Sequence, residues 1–438
     1  MKPILGMLVL LLMSTTVEAG EWRLTGGNDG YVMETSDAAV TLRNDRDTTY
    51  GSASTEVPAE GMRARRVTLS ADVETRGVTQ GATLTLVIKR GNGSTIGEHD
   101  LSVYGDTSRT RRGVTLPVPD DATAIAYGVS MHGGGTITAR NLRLETSPWD
   151  MTAPPSREAG RVLEAAIAIV RNNALRRREV NWNEALPRVR TLAAGARQSS
   201  EVYAAIGQLL SELGDRHSFV MKPGSSSAAR VNRPAEARAL PNGIGYVEVP
   251  GYLGGDTGAM RAWTKEMHDA LAATDAPCGW IVDVRANLGG TPLPMLAGLK
   301  PFLGSAGVGA NVPLIGKPQP WVPGFGVNMP PPASLRALRN APVAVLTGPW
   351  TASAGELVAI AFRGRADTRS FGQPTAGVST ANSTYRLPDG GRIVLTTAVM
   401  ADRRGNSYGS QVPPDEITEG DEATLAAAME WLKRTCSR

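Results

Sequence analysis

One serine of this sequence stands where it could act as a nucleophile. Ser353 lies in the run Thr351-Ala-Ser-Ala-Gly-Glu356, between an apolar strand pattern and a helical pattern. Backbone N–H groups at a helix N-terminus are free to bind an oxyanion, so a serine at this point could carry out acyl transfer. The spacing Ser-x-x-Glu is also typical of a helix capping box, and this local pattern by itself favours capping.

His217 is the candidate general base among the four histidines of the chain. His99 and His132 belong to a region of strand patterns, and His268 lies within a helical pattern. His217 instead follows Gly214, where a helical pattern ends, and a side chain at a sharp helix exit can point into a cleft. The histidines do not lie at metal-ligand spacing, so the sequence predicts no metal and no cofactor.

A second turn between a strand and a helix, Asp283-Val-Arg-Ala-Asn-Leu-Gly-Gly290, carries two adjacent glycines. Such a pair lets the backbone approach a substrate closely and can leave an N–H group unpaired for it. By itself this is an ordinary turn. Two such turns at one edge of a parallel sheet, however, form the usual crevice for a ligand.

These candidate groups need a scaffold, and the patterns of the second half of the chain predict one. Residues 243–438 alternate apolar strands with helical patterns, which predicts an α/β core with a mostly parallel sheet that carries Ser353. Residues 156–222 repeat apolar positions with a helical period, which predicts a small helical domain that carries His217.

Six short motifs follow one another along the chain. They are Leu213-Gly-Asp-Arg-His-Ser218, Gly243-Ile-Gly-Tyr-Val247, Ile281-Val-Asp-Val-Arg-Ala-Asn-Leu-Gly-Gly290, Thr351-Ala-Ser-Ala-Gly-Glu356, Gly372-Gln-Pro-Thr-Ala-Gly377 and Val412-Pro-Pro-Asp415. In this order they resemble the tail-specific, or C-terminal processing, serine peptidases, from about residue 157 to the end. The resemblance implies a crotonase-like core, a peptide or protein substrate and Ser353 as the nucleophile. It also implies an oxyanion hole formed by the N–H groups of Ala354 and of Gly289 or Gly290.

The chain departs from the bacterial processing peptidases at the base. Those enzymes carry a lysine directly after the glycine that matches Gly377, and Val378 stands there in this sequence. Valine cannot accept a proton. The chain therefore resembles the branch that includes the tricorn protease core, in which the histidine matching His217 serves as the base.

Two further departures concern the acid and the PDZ domain. The segment between Ser218 and Gly243 is too short for the PDZ domain that is common in the processing enzymes. The acid that orients the histidine in the tricorn branch should lie just before Val412, but Tyr408 is close to that position. Asp402 is the predicted substitute.

The first part of the chain shows strand patterns without intervening helical patterns. Residues 20–147 alternate short apolar runs with Gly, Asn, Asp and Ser turns, which predicts an all-β sandwich. The pattern is similar to jelly-roll modules that accompany many secreted hydrolases, some of which bind carbohydrate. Contact with a glycan and a plain spacer role are both left open.

The N-terminus and the cysteines bear on the location of the protein. Residues 1–19 combine Lys2, an apolar run and small residues before a cleavage position, which predicts a signal peptide and export to the periplasm or the medium. A retained N-terminal anchor is the alternative. Export permits a disulfide between the two cysteines, Cys278 and Cys436, but their spacing leaves the pairing undecided.

The charge of the chain bears on its partners, and the wider family suggests an alternative to catalysis. The 46 Lys and Arg residues nearly balance 42 Asp and Glu residues and form no basic run, so nucleic acid is excluded as a predicted partner. The oligomeric state is undetermined. Because the wider family includes retinoid-binding members, the alternative to an exported serine peptidase is a catalytically inactive protein that binds a peptide or hydrophobic ligand.

Overall fold

The computed structural model describes residues 20–26, 30–46, 50–100, 102–224 and 232–436. The predicted signal peptide, residues 1–19, lies outside these residues. In the described part of the chain, no helix is long and apolar enough to cross a lipid bilayer.

Nine strands form the first part of the fold: β1 (Arg23–Thr25), β2 (Val32–Ser36), β3 (Ala39–Asn44), β4 (Tyr50–Pro58), β5 (Arg65–Arg90), β6 (Thr95–His99), β7 (Val103–Val118), β8 (Ala122–His132) and β9 (Gly135–Pro148). Three helices and one strand follow: α1 (Arg157–Asn173), α2 (Trp182–Leu192), α3 (Tyr203–Ser211) and β10 (Phe219–Met221). The remaining elements are β11 (Glu236–Leu240), β12 (Ile244–Glu248), α4 (Thr257–Ala272), β13 (Gly279–Asp283), α5 (Pro292–Gly298), α6 (Lys300–Leu303), β14 (Gly309–Pro313), β15 (Gln319–Pro320), β16 (Val343–Thr347), α7 (Ala354–Phe362), β17 (Thr368–Gly372), β18 (Thr380–Arg386), β19 (Arg392–Asp402), β20 (Glu416–Ile417) and α8 (Asp421–Cys436).

The predicted β-rich character of the N-terminal part is confirmed, but its strands pair in one nine-stranded sheet where a jelly-roll-like sandwich was predicted. Strand β5 is 26 residues long. Its first half pairs with β7 and β9, and its second half pairs with β6 and β8. Gly77 and Gly81, both with positive φ, lie between the two halves. Because β5 pairs with both groups of strands, the nine strands form a single, nearly closed sheet.

The helical segment, which the sequence predicts to be a small domain, shares its core with this β domain. The predicted apolar face of α1, which includes Val162, Ala166 and Val170, is buried, as expected from its helical period. These residues pack in one continuous hydrophobic cluster with the core of the nearly closed sheet. Trp149, after β9, donates its indole N–H to the Ala194 carbonyl at 3.0 Å and anchors the junction.

The α/β core is built on a six-stranded sheet in the order β11-β12-β13-β16-β17-β20. Neighbouring strands from β12 to β20 are parallel, as predicted, and β11 adds an antiparallel edge. Helices α4, α5 and α7 pack on one face and α8 packs on the other. Cys278 and Cys436 form a disulfide with a Cα–Cα distance of 5.4 Å, which ties the end of α8 to the start of β13.

A second sheet connects the helical segment to this core. Its long strand β19 pairs with β18 along one edge and with β10 and β14 along the other. Phe219 of β10 lies opposite Val394 of β19. Because β10 begins two residues after His217, this pairing carries the histidine loop to the edge of the core.

Candidate active site

Ser353 lies at the junction between β16 and α7, in a backbone conformation that is unusual for a residue with a side chain. Its φ is 52° and its ψ is −113°. Such values cost conformational energy and persist only where the surroundings hold them. The preceding residue is held by the Ala352 N–H, which donates to the Asn287 carbonyl at 2.9 Å. Thr351 adds a hydrogen bond from its hydroxyl to the Val284 carbonyl at 2.9 Å.

A fully buried carboxylate holds this turn from the other side. Glu356 accepts hydrogen bonds from the backbone N–H of Ser353 at 2.9 Å and from the Thr375 hydroxyl at 2.5 Å. It also accepts the N–H groups of Gly377 at 3.0 Å and Val378 at 3.1 Å. Burial raises the pKa of Glu356, and these hydrogen bonds oppose that shift. The predicted capping bond between the backbone N–H of Ser353 and the side chain of Glu356 is therefore present. The Ser353 hydroxyl contacts a different partner.

That partner is the imidazole of His217. Its Nε2 lies 3.0 Å from the Oγ of Ser353, and its Nδ1 lies 2.7 Å from the Oγ1 of Thr380. Burial lowers the pKa of His217, and the charge of Asp215 opposes this shift. The half-buried ring is consequently held between two hydroxyl groups and favours its neutral form.

The loop that carries the imidazole is fixed by its own side chains. After α3, Gly214 and Arg216 take positive φ values of 61° and 54° and turn the chain sharply. The Asp215 carboxylate accepts the N–H of His217 at 3.0 Å, and the N–H and hydroxyl of Ser218 at 2.8 and 2.6 Å. The helix exit predicted from Gly214 is therefore confirmed.

The structure does not place Asp402 beside the imidazole, which corrects its predicted role. The Asp402 carboxylate accepts the N–H groups of Arg404 and Asn406 at 2.8 and 3.0 Å. It also accepts the side-chain amide of Asn406 at 2.9 Å and the Tyr408 hydroxyl at 3.2 Å. These contacts fold the turn after β19 onto itself, and Thr380 occupies the position at Nδ1 instead.

The glycine turn after β13 lies against the serine, but only one of its two candidate N–H groups is available. The N–H of Gly289 donates to the Oδ1 of Asn287 at 2.9 Å, which corrects its predicted place in the oxyanion hole. Neither Gly290 nor Ala354 donates its N–H to a partner within the described residues. Of the three predicted oxyanion-hole groups, these two N–H groups are without a partner in the described part of the chain.

Gly289 contributes through its size. Its φ is 102°, and a Cβ added there would lie 2.8 Å from the Cβ of Ser353 and 2.9 Å from the carbonyl oxygen of Ala352. Real Cβ atoms do not approach other atoms this closely, so only glycine fits against the serine turn. The glycine pair therefore permits the close approach that the sequence predicted.

Three positions of the site gave no sequence signal of their own. Thr380 lies in an alternating strand pattern, and Asn287 lies in a turn motif in which only the glycine pair predicts contact with a substrate. For Glu356, the sequence predicts a capping role and nothing more. Within the described ranges, no group of His, Cys, Asp and Glu side chains could hold a metal ion.

Part of the chain is similar in sequence to known proteins. Residues 243–418 match the family model of Peptidase family S41. A nisin-resistance protein from Lactococcus lactis subsp. lactis is 27% identical over 259 residues, which span 58% of this chain and 80% of that protein.

Two solved structures are also similar. A lipoprotein from Streptococcus agalactiae has 24% sequence identity and a TM-score of 0.57, covering 64% of this chain and 97% of that chain, and it shows the fold. A photosystem II D1 C-terminal processing protease has 15% identity and a TM-score of 0.43, covering 65% and 98%. Five of the six motifs lie within the matched residues, so residues 243–418 form a domain of peptidase family S41.

Proposed function

We propose that the protein is an exported serine peptidase in which Ser353 is the nucleophile and His217 is the general base. The observation that carries the proposal is the 3.0 Å contact between the Nε2 of His217 and the Oγ of Ser353. This distance lies within the range over which a base can take a proton from a nucleophile.

The mechanism is acyl transfer through a covalent intermediate. His217 takes the hydroxyl proton as the Ser353 oxygen attacks the peptide carbonyl carbon, and the N–H groups of Gly290 and Ala354 bind the resulting oxyanion. The imidazolium then returns the proton to the leaving amine as the peptide bond breaks. Water, deprotonated by the same imidazole, attacks the acyl group and restores the free serine.

Several observations support export and the nature of the core. A disulfide between Cys278 and Cys436 is typical of an oxidising compartment. Two similar proteins are described as a lipoprotein and as a nisin-resistance protein, which favours export to the cell envelope or medium. We further infer that the parallel sheet with α4, α5 and α7 on one face is a crotonase-like core.

Labelling with a fluorophosphonate probe tests the assignment. We expect the wild-type protein to be labelled, and Ser353→Ala and His217→Ala to lose labelling while keeping the melting temperature close to that of the wild type. Ser200→Ala, which changes an exposed serine on the helical segment, is the matched control and should label fully. Cleavage of a denatured protein substrate, followed by mass spectrometry of the products, tests the peptidase activity itself.

The same experiment separates the enzyme from its main alternative. A folded wild-type protein that binds peptide but neither labels nor cleaves would identify a catalytically inactive binding protein on this fold. Labelling that persists in Ser353→Ala would contradict the assignment of the nucleophile.

A further inference from the structure

We propose that Thr380 is the residue that positions His217: its hydroxyl accepts a hydrogen bond from the Nδ1–H of the imidazole and so presents the Nε2 lone pair to Ser353. This inference rests on the proposed function and adds to it the group that takes the place of an orienting acid. Thr380 lies outside the six motifs of the sequence.

The contact is short and sheltered. The Oγ1 of Thr380 lies 2.7 Å from the Nδ1 of His217, and Thr380 is only 7% exposed. A neutral imidazole carries one proton, and a base that takes a proton at Nε2 must carry its own at Nδ1. The Thr380 oxygen is placed to accept that proton.

Strand β18 holds both the ring and the backbone of His217. Thr380 begins this strand and lies opposite Val399 of β19, and its branched side chain has few rotamers. Two residues further on, the Asn382 side-chain amide donates to the His217 carbonyl at 3.0 Å. Asn382 is itself fixed, because it accepts the Thr396 hydroxyl at 3.0 Å. One strand therefore sets the orientation of the imidazole at two points.

Among the described residues, no carboxylate is hydrogen-bonded to Nδ1, whose partner is the Thr380 hydroxyl. The charge of Asp215, in its own loop, acts on the ring, and Glu356 lies on the helix that begins after Ser353. Asp215 is engaged by the N–H groups and hydroxyl of its own loop, and Glu356 is engaged by the serine turn. On β18, Ala381 and Asn382 do not titrate. The imidazolium formed during catalysis is therefore oriented by a neutral hydroxyl, so its stabilisation is weaker than that given by a paired carboxylate.

Two substitutions at one position isolate the hydroxyl. Thr380→Val keeps the branched shape and removes the oxygen, and we expect its fluorophosphonate labelling rate to fall about tenfold, the effect of one lost hydrogen bond in the transition state. Thr380→Ser keeps the oxygen and should label within about threefold of the wild type. Melting temperatures check that both variants fold. Equal rates for wild type and Thr380→Val, with unchanged pH profiles, would overturn the proposal.

Nitrogen NMR gives a readout that does not depend on activity. At a pH well above the histidine pKa, the nitrogen shifts of the ring should identify a proton on Nδ1 in the wild type, with His217→Ala used to assign the signals. In Thr380→Val we expect mixed tautomers. A wild-type ring that carries its proton on Nε2 would overturn the proposal. Absence of labelling in the wild type would instead contradict the proposed function, while the tautomer would still report on Thr380.

Discussion

The Nε2 atom of His217 lies 3.0 Å from the Oγ atom of Ser353, although 136 positions separate the two residues in the chain. The histidine comes from a loop after a helix that packs on the N-terminal β domain. The serine comes from a turn of the parallel sheet. Strand β19 pairs with β10 just after the histidine and with β18 behind the imidazole, and Glu356 ties the serine turn to Val378, two residues before β18.

The pH dependence of labelling should reflect a histidine with a lowered pKa. The neutral imidazole is the active form of a base, so the rate is high above the pKa of the folded protein and is lost as the pH falls through it. Burial places that pKa below the reference value of about 6.5. We therefore expect the labelling rate of the wild type to reach half its plateau below about pH 6.5. A midpoint well above pH 7, as for a lysine or an unusually basic histidine, would contradict the assignment.

Replacement of the buried glutamate should destabilise the serine turn. In Glu356→Gln, an amide group would face N–H donors that now bind a carboxylate oxygen, so at least one buried hydrogen bond is lost. We expect the free energy of unfolding to fall by about 2 kcal/mol and the labelling rate to fall with it. Glu266→Gln, on the exposed side of α4, is the matched control in urea denaturation. Equal stability of the two variants would show that Glu356 does not support the turn.

A methyl group at Gly289 should disrupt the site by crowding. In Gly289→Ala, the new Cβ would lie 2.8 Å from the Cβ of Ser353 at a φ of 102°. The variant should lose at least about tenfold in labelling rate and about 1–3 kcal/mol in stability, because both the backbone strain and the contact oppose the native turn. Gly255→Ala is the control, since nothing lies within 4 Å of its added Cβ. Normal labelling by Gly289→Ala would show that the turn can move away from the serine.

Substitution of Asp402 should lower stability without shifting the pH midpoint of labelling, which depends on His217. Asp402→Asn would keep the hydrogen bonds to one oxygen and place an amide N–H₂ against the side-chain amide of Asn406, which now donates to the other oxygen. We expect a loss of about 1–2 kcal/mol in thermal or urea unfolding. The pH midpoint of labelling should stay that of the wild type, because Asp402 does not contact His217. A midpoint shifted to lower pH would instead support the acid role predicted from the sequence.

Local patterns were sufficient to predict much of this fold. The apolar period of α1 predicted that helix, and the alternation of strand and helix after residue 243 predicted a mostly parallel core sheet. These features depend on neighbours within a few residues, and hydrophobic periodicity reports them directly. The continuity of the nearly closed sheet was missed because it depends on how a single strand, β5, pairs along its two halves.

For the site, the sequence by itself determined the chemical groups: the serine at a helix start, the histidine at a helix exit and the glycine pair after a strand. Each is a residue type whose chemistry is visible in its local context. Only the tertiary structure decided that Thr380 lies behind the imidazole, that Asp402 lies elsewhere and that Asn287 takes the N–H of Gly289. A hydroxyl or amide on a strand has no distinctive local pattern, and its partner is set by the pairing of strands far apart in the chain.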